Sequence, residues 1–330
     1  MTKRIHFIIH RMSMMIFLFI FCCNFAYCNR TQSWHEFVSQ LRSEAIADGI
    51  RPEVFDAAFR NVEAPSRSVL RLDKTQPEKR LSFMHYRKTR IDRYRILLGR
   101  QEFRRHKATL NNISNQFGVN ACFIISIWGL ETSYGRYKGS FPVIQSLATL
   151  AYDPRRSDFF RNELIIALHM LNDGKVSLNE FKGEWAGASG HCQFMPSTWA
   201  KYAIDYDGKG RADIWNNLND SFASIANYLL KNGWQRDQPW AIQVTIPSHF
   251  DEDLIGIDRT KTVGEWLRLG VQPVNSVTPN SHLRASVIYP EGGPAYLVFD
   301  NFKTLLKWNR SNYYAAALGY LAEEICQKNL

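Results

Sequence analysis

The sequence predicts an α+β protein that is mainly α, and three observations carry that prediction. Apolar residues recur at helical spacing from Trp34 to about Asn61, from Leu81 to Phe117 and over residues 120 to 172. Beyond Trp240 the pattern changes to short β-branched or aromatic runs, "WAIQVTI", "RASVIY" and "AYLVFD", separated by Pro, Gly and Asn. The end of the chain, "SNYYAAALGYLAEEI", returns to helix. With no internal repeat and no low-complexity linker, the strands read as a small β-rich insertion in a helical protein.

Each element has its own signal. "WHEFVSQLRSEAIADG" closes on Gly49, and "RPEVFDAAFRNV" opens with Pro52, which suits the first turn of a helix because proline lacks only an N–H that has no partner there. "EAPSRSVLRLDKTQPEKR" reads as a polar connection. From Leu81 to Phe117 the helical pattern is long and basic, and its arginine stems predict a solvated face covering apolar surface. "RRSDFFRNELIIALHML" stops at the turn signal Asn172-Asp173-Gly174. "KGEWAGASGHCQFMPSTW" gathers Gly183, Gly187 and Gly190 in a loop, and a helix resumes after Pro196.

The first residues carry a different message. Lys3, Arg4 and Arg11 precede the apolar run "MSMMIFLFIF", and Ala26 and Cys28 are small residues suited to cleavage, so residues 1–28 read as a secretory signal. Bulky residues precede Cys22, Cys23 and Cys28, which argues against a lipid anchor. The run is also short for a membrane span of about 20 residues. Cleavage leaves Cys122, Cys192 and Cys326, enough for one bridge whose pairing the sequence does not give. The net charge is +10, and the segment removed holds three basic and no acidic residues. An exported basic protein points to an anionic wall polymer or membrane surface rather than nucleic acid.

Chemistry enters at "IISIWGLETSYG", where Glu131 interrupts a helix that is apolar nearly all round. A carboxylate there must find a partner or take up a proton, because an isolated charge in low dielectric costs several kcal/mol or more. Two readings stand on these residues alone. One is a general acid at the mouth of a cleft; the other is a buried ion pair with Arg136 or an arginine between positions 89 and 105. Adjacent His191 and Cys192 lack a third group to orient them as base and nucleophile, and no zinc-ligand spacing occurs.

"WGLETSYG", "SLATLAYDPRR", "KGEWAGASGHCQFMPSTWAKYAIDYDGKGRADIW" and "ANYLLKNGW", in that order and spacing, resemble the lytic murein transglycosylase B family, with "LDKTQPE" upstream and "WNRSNYYAAAL" downstream extending the likeness. The resemblance implies a lysozyme-like catalytic core over residues 120–240, after a helical N-terminal region at 32–119. A β-rich part at 241–305 and a C-terminal helix at 306–330 complete a catalytic unit spanning 29–330. It implies a monomeric periplasmic enzyme that needs no cofactor and acts on peptidoglycan glycan strands, with other cell-wall enzymes as candidate partners. The reaction implied is cleavage between N-acetylmuramic acid and N-acetylglucosamine without added water, which leaves a 1,6-anhydro sugar. Glu131 stands at the family's single catalytic acid/base; a second carboxylate is dispensable where the substrate's own acetamido group assists. Gln193, Tyr228, Asn309 and Tyr314 match substrate-cleft positions, and Trp308 stands where a tyrosine is more usual.

Two departures from the family pattern stand out. Glu184 replaces a small hydroxyl residue, and a second carboxylate beside Glu131 would raise the acid's pKa or activate water for hydrolysis. A hydrolytic muramidase and a non-catalytic wall-binding protein are therefore the rival readings. "DYDGKGRADIWN" resembles a calcium loop with Asp205, Asp207 and Asp213 at positions one, three and nine, but Lys209 takes a ligand position and Asn216 replaces the bidentate acid. Calcium is an expectation that these two residues weaken.

Overall fold

A computed structural model describes residues 32–75, 82–275 and 279–326. The signal segment and part of "LDKTQPE" lie outside the described residues. The chain divides into two units, 1–44 and 45–330. The described part of the first is residues 32–44, where the helix Trp34–Ala47 begins. Glu36 accepts from Ser33 N and Oγ at 2.8 Å each, which ties off the start of that helix.

The second unit is built mostly of helices. Pro52–Phe59 opens with proline in its first turn, as its sequence predicts. The polar connection after it contains a further helix, Arg67–Lys74, capped by Ser66; its composition hid it because only Val69 is buried. The long basic stretch is three helices rather than one: Phe83–Arg90, Arg93–Arg105 and Lys107–Phe117. Asp92 makes the first break by accepting from Arg95 N at 2.7 Å, an N-cap that starts a new helix. Some of the basic side chains turn inward instead of facing solvent. Arg95 donates to Gly129 O at 2.9 Å and Ser133 Oγ at 3.1 Å, while buried Arg100 donates to Glu324 O through Nε at 2.8 Å. A guanidinium fork can thus add donors to carbonyls near a helix end.

Helix Ala121–Thr132 lies at the centre, with every residue from Ala121 to Gly129 buried. It packs against Arg93–Arg105, Lys107–Phe117, Leu218–Lys231 and Asn312–Cys326. That explains an apolar sequence with no polar face. Asn120 caps its start through a bond from Cys122 N at 2.8 Å. Its end is the left-handed Ser133, at φ 50°. Tyr134 then folds back beneath the helix; a Cβ on Gly129 would come 2.5 Å from its ring, so glycine is required at that crossing. Cys122 and Cys326 form the disulfide, joining the start of this helix to the end of the last one, and Cys192 is free and buried.

Helices Val143–Tyr152 and Ser157–Asn172 pack together beside the core. A short antiparallel pair, β1 (Phe141–Pro142) with β2 (Lys182–Gly183), leads into the glycine-rich loop. A Cβ on Gly183 would meet Ala188 O at 2.1 Å, so the loop closes on itself only with glycine there.

The insertion is a five-stranded antiparallel sheet in the order β4-β6-β7-β3-β5, formed by Thr260–Thr262, Arg284–Ile288, Ala295–Val298, Ala241–Thr245 and Gln272–Pro273. Val244, Val287, Leu297 and Phe299 pack around fully buried Trp266, whose indole donates to Ala285 O at 2.9 Å. The boundary expected at residue 305 falls inside helix Asp300–Trp308, because "AYLVFD" ends as a strand at Val298 and Phe299 begins the turn into helix. The closing helix is Asn312–Cys326.

Candidate active site

Three segments distant in sequence meet at Glu131. It sits one residue before the end of the central helix, partly open at the surface, with its carboxyl enclosed by aromatic side chains. Tyr314 Oη donates to Glu131 Oε1 at 2.5 Å and Trp308 Nε1 donates to the same oxygen at 2.9 Å. Burial pushes the carboxyl pKa up; the two donors oppose that rise, and the charge of Glu184 adds to it. Glu131 is thus a carboxyl disposed to hold a proton.

The ion-pair reading of Glu131 gives way to this arrangement. Arg95 is engaged with Gly129 and Ser133, Arg100 with Glu324, Arg105 with Glu102, and Arg136 with Tyr94.

The remaining predicted residues occupy different roles. Tyr228, on helix Leu218–Lys231, donates to Lys307 O at 2.6 Å and packs edge-on to Trp308 with centroids 4.7 Å apart. Its hydroxyl therefore holds the end of helix Asp300–Trp308 and does not touch the acid; burial raises its pKa to about 12. Phe194 completes this aromatic wall at 5.4 Å from Trp308. Beside it, Gln193 adopts a left-handed backbone at φ 49°. Its Nε2 donates to Lys138 O at 3.1 Å and Gly190 O at 2.9 Å, while its Oε1 is buried with no partner in the described structure. Asn309 is exposed and turns its Oδ1 to Ser311 N at 3.1 Å. Glu184 is exposed in the loop after β2, near enough for its charge to act on Glu131.

Tyr86 is the neighbour that sequence reasoning missed. Burial raises its pKa and the Glu131 charge adds to that rise, which places its hydroxyl within the carboxyl's field. It lies within the basic stretch "HYRKTR", where nothing in the local pattern marks it as a neighbour of a carboxyl 45 residues onward in the chain. Buried Glu163 was also unreadable: it accepts from Ser197 N at 2.9 Å and Ser197 Oγ at 2.5 Å, fixing the start of helix Pro196–Tyr202, which begins within "QFMPS".

His191 and Cys192 do not form a nucleophile pair. Trp128 Nε1 donates to His191 Nδ1 at 3.0 Å, and burial takes that imidazole down to about 4. The Cys192 thiol donates to Ser221 O at 3.3 Å, and its burial pushes its pKa well up, so it is not a thiolate.

The acidic loop differs from its expected ligand set. Asp205 and Asp207 group with Asp220, not with Asp213. Asp213 is taken by Arg211 at 2.8 Å and by the amides of Trp215 and Asn216 at 3.0 Å. Within the group, Asp205 accepts from the amides of Lys209 and Gly210, and Asp220 from those of Tyr206 and Asp213. Lys209 Nζ lies 2.7 Å from Asp207 Oδ2. The backbone donors leave lone pairs on Asp205 and Asp220, but the Lys209 ammonium on Asp207 competes with any cation, so the loop is a poor fit for calcium while that ion pair stands, and no step of the chemistry is assigned to one.

A family profile described as Transglycosylase SLT domain matches residues 33–323. The chain is 30% identical to the membrane-bound lytic murein transglycosylase B of Escherichia coli (strain K12) over 254 residues, 74% of this chain and 67% of that protein. Its fold is similar to SltB3 of Pseudomonas aeruginosa, solved in complex with NAG-anhNAM-pentapeptide. That match has a TM-score of 0.85 and 39% identity and covers 89% of this chain and 80% of that one. It is also similar to the Escherichia coli lytic transglycosylase Slt35, solved in complex with calcium, at TM-score 0.78 and 27% identity over 88% and 93% of the two chains. A buried carboxyl held by aromatic donors on a lysozyme-like core, and a domain match over nearly the whole length, lead to one conclusion: the chain belongs to the lytic murein transglycosylase B family.

Proposed function

We propose that the protein cleaves the β-1,4 bond between N-acetylmuramic acid and N-acetylglucosamine in peptidoglycan, with Glu131 as the only acid and base. The observation that carries this reading is the enclosed Glu131 carboxyl with Trp308 and Tyr314 on one oxygen. In the first step Glu131 gives its proton to the glycosidic oxygen, the C1–O bond breaks and the N-acetylglucosamine side leaves as an alcohol. The muramoyl acetamido oxygen stabilises the positive charge at C1. Glu131, now a carboxylate, takes the proton of the C6 hydroxyl as O6 attacks C1. The ring closes to a 1,6-anhydro end and Glu131 regains its proton, so no water is consumed.

The aromatic wall of Phe194, Tyr228 and Trp308 suits a sugar face, and the unpartnered Gln193 Oε1 can accept from a sugar hydroxyl or amide. Such a wall also excludes water from the carbon under attack. A muramidase reading is favoured by one observation, the exposed Glu184 carboxylate whose field reaches Glu131. Mass spectrometry of soluble products separates the two, since an anhydro product is lighter than its hydrolytic counterpart by one water. The substrate places the working enzyme outside the cytoplasmic membrane, in keeping with the signal expected at residues 1–28.

A further inference from the structure

We infer that Trp308 decides which oxygen of Glu131 carries the catalytic proton: its indole holds Oε1 as an acceptor, and the proton given to the glycosidic oxygen sits on Oε2. The inference rests on the reading of Glu131 as the acid and adds a positioning role for the Trp308 N–H to the sugar-facing role proposed for its ring.

The argument begins with the chemistry of the two donors. A phenol can donate or accept, so Tyr314 could reverse its bond and accept a hydrogen bond from a protonated Oε1. Indole N–H donates and has no lone pair with which to accept. With Trp308 Nε1 at 2.9 Å from Oε1, a proton on Oε1 would leave the indole facing the hydroxyl oxygen of the acid, a poorer acceptor than a carbonyl oxygen. With the proton on Oε2, both Trp308 and Tyr314 donate to the carbonyl oxygen Oε1. Oε2 has no protein hydrogen bond among the described residues and is the oxygen left for substrate.

The indole is held for this task. It stands at the last residue of helix Asp300–Trp308, Tyr228 and Phe194 pack against it, and the Tyr228 hydroxyl donates to the carbonyl just before it. Four titratable groups surround the carboxyl. Tyr86 comes from helix Phe83–Arg90 and has Arg90 over its ring; the others are Tyr314, Cys192 and Glu184. None of them can act as a donor that is unable to accept. A tyrosine at 308 would leave both donors reversible, whereas tryptophan fixes the direction.

The test compares Trp308→Phe and Trp308→Tyr with wild type on purified glycan strands, following kcat and kcat/KM against pH. Donation from indole favours the carboxylate over the acid, so its loss in Trp308→Phe raises the Glu131 pKa. The alkaline limb should move to higher pH and kcat should fall about tenfold. Trp308→Tyr restores a donor and should return the limb toward wild type. An unchanged limb in Trp308→Phe, or a rise in KM alone, would contradict the inference and leave the indole with sugar stacking alone. A readout without turnover is the Glu131 carboxyl C=O stretch, isolated as the infrared difference between each background with and without Glu131→Gln. It should rise in frequency in Trp308→Phe because a donor to the carbonyl is lost, and an unmoved band would overturn the assignment. Wild-type activity in Glu131→Gln itself would instead overturn the acid reading on which the inference stands.

Discussion

At the scale of single residues, Glu131 joins two demands that ordinarily conflict. In the proposed reaction its surroundings must keep a carboxyl protonated, yet that proton has to leave and return. Burial supplies the first, and donation from Trp308 and Tyr314 steadies the carboxylate formed in between. The folded-state pKa of Glu131 is raised, so its contribution to stability is fully present below the unfolded value and is lost as pH rises through the folded one. Glu131→Gln should therefore be more stable than wild type near neutral pH, with the difference vanishing in acid, as urea melts across pH would record. Glu184 acts in the same direction as burial, so Glu184→Ser should move the alkaline limb of kcat/KM to lower pH. A limb that stays in place would show that this carboxylate does not couple to the acid. Glu131 was legible because a lone acid in an apolar helix breaks a pattern. Tyr86 and Glu163 were not, because their environments arise only when distant helices meet.

At the scale of elements, the disulfide ties the helix that carries Glu131 to the helix that carries Tyr314. It closes a separation of 204 residues, and long loops lose the most unfolded-state entropy on closure. Cys122→Ser should cost about 2–4 kcal/mol in a urea titration; a loss under about 0.5 kcal/mol would show that packing alone holds the two helices. The acidic loop supplies a second test. The Lys209 ammonium occupies Asp207, a carboxylate that a cation would need, so calcium or a chelator should shift Tm by less than about 1 °C. A calcium-dependent rise would show that the ammonium yields. The calcium motif was readable as a spacing, but its membership was not. Asp220 stands in the group and Asp213 does not, because Arg211 pairs with the latter. The same limit applied to the basic stretch, where periodicity gave helix but the Asp92 cap divided it.

At the scale of the whole molecule, a mainly helical chain with one β-rich insertion was legible because helical and strand periods differ and each covers long runs. The site was legible only in part. Glu131 meets Trp308 and Tyr314 across 177 and 183 positions, a closure that no local period encodes and that the family resemblance alone anticipated. Resemblance in turn placed Asn309 and Tyr228 in a cleft without saying that one bonds its own turn and the other braces a helix end. The central claim joins these scales: one enclosed carboxyl cuts a glycan strand with no water consumed. It is tested most directly by digesting purified peptidoglycan with wild type and Glu131→Gln and weighing the soluble products. The account predicts 1,6-anhydro products from wild type and activity lowered by about 100-fold or more in the variant. Products heavier by one water, or undiminished lysis by Glu131→Gln, would contradict it.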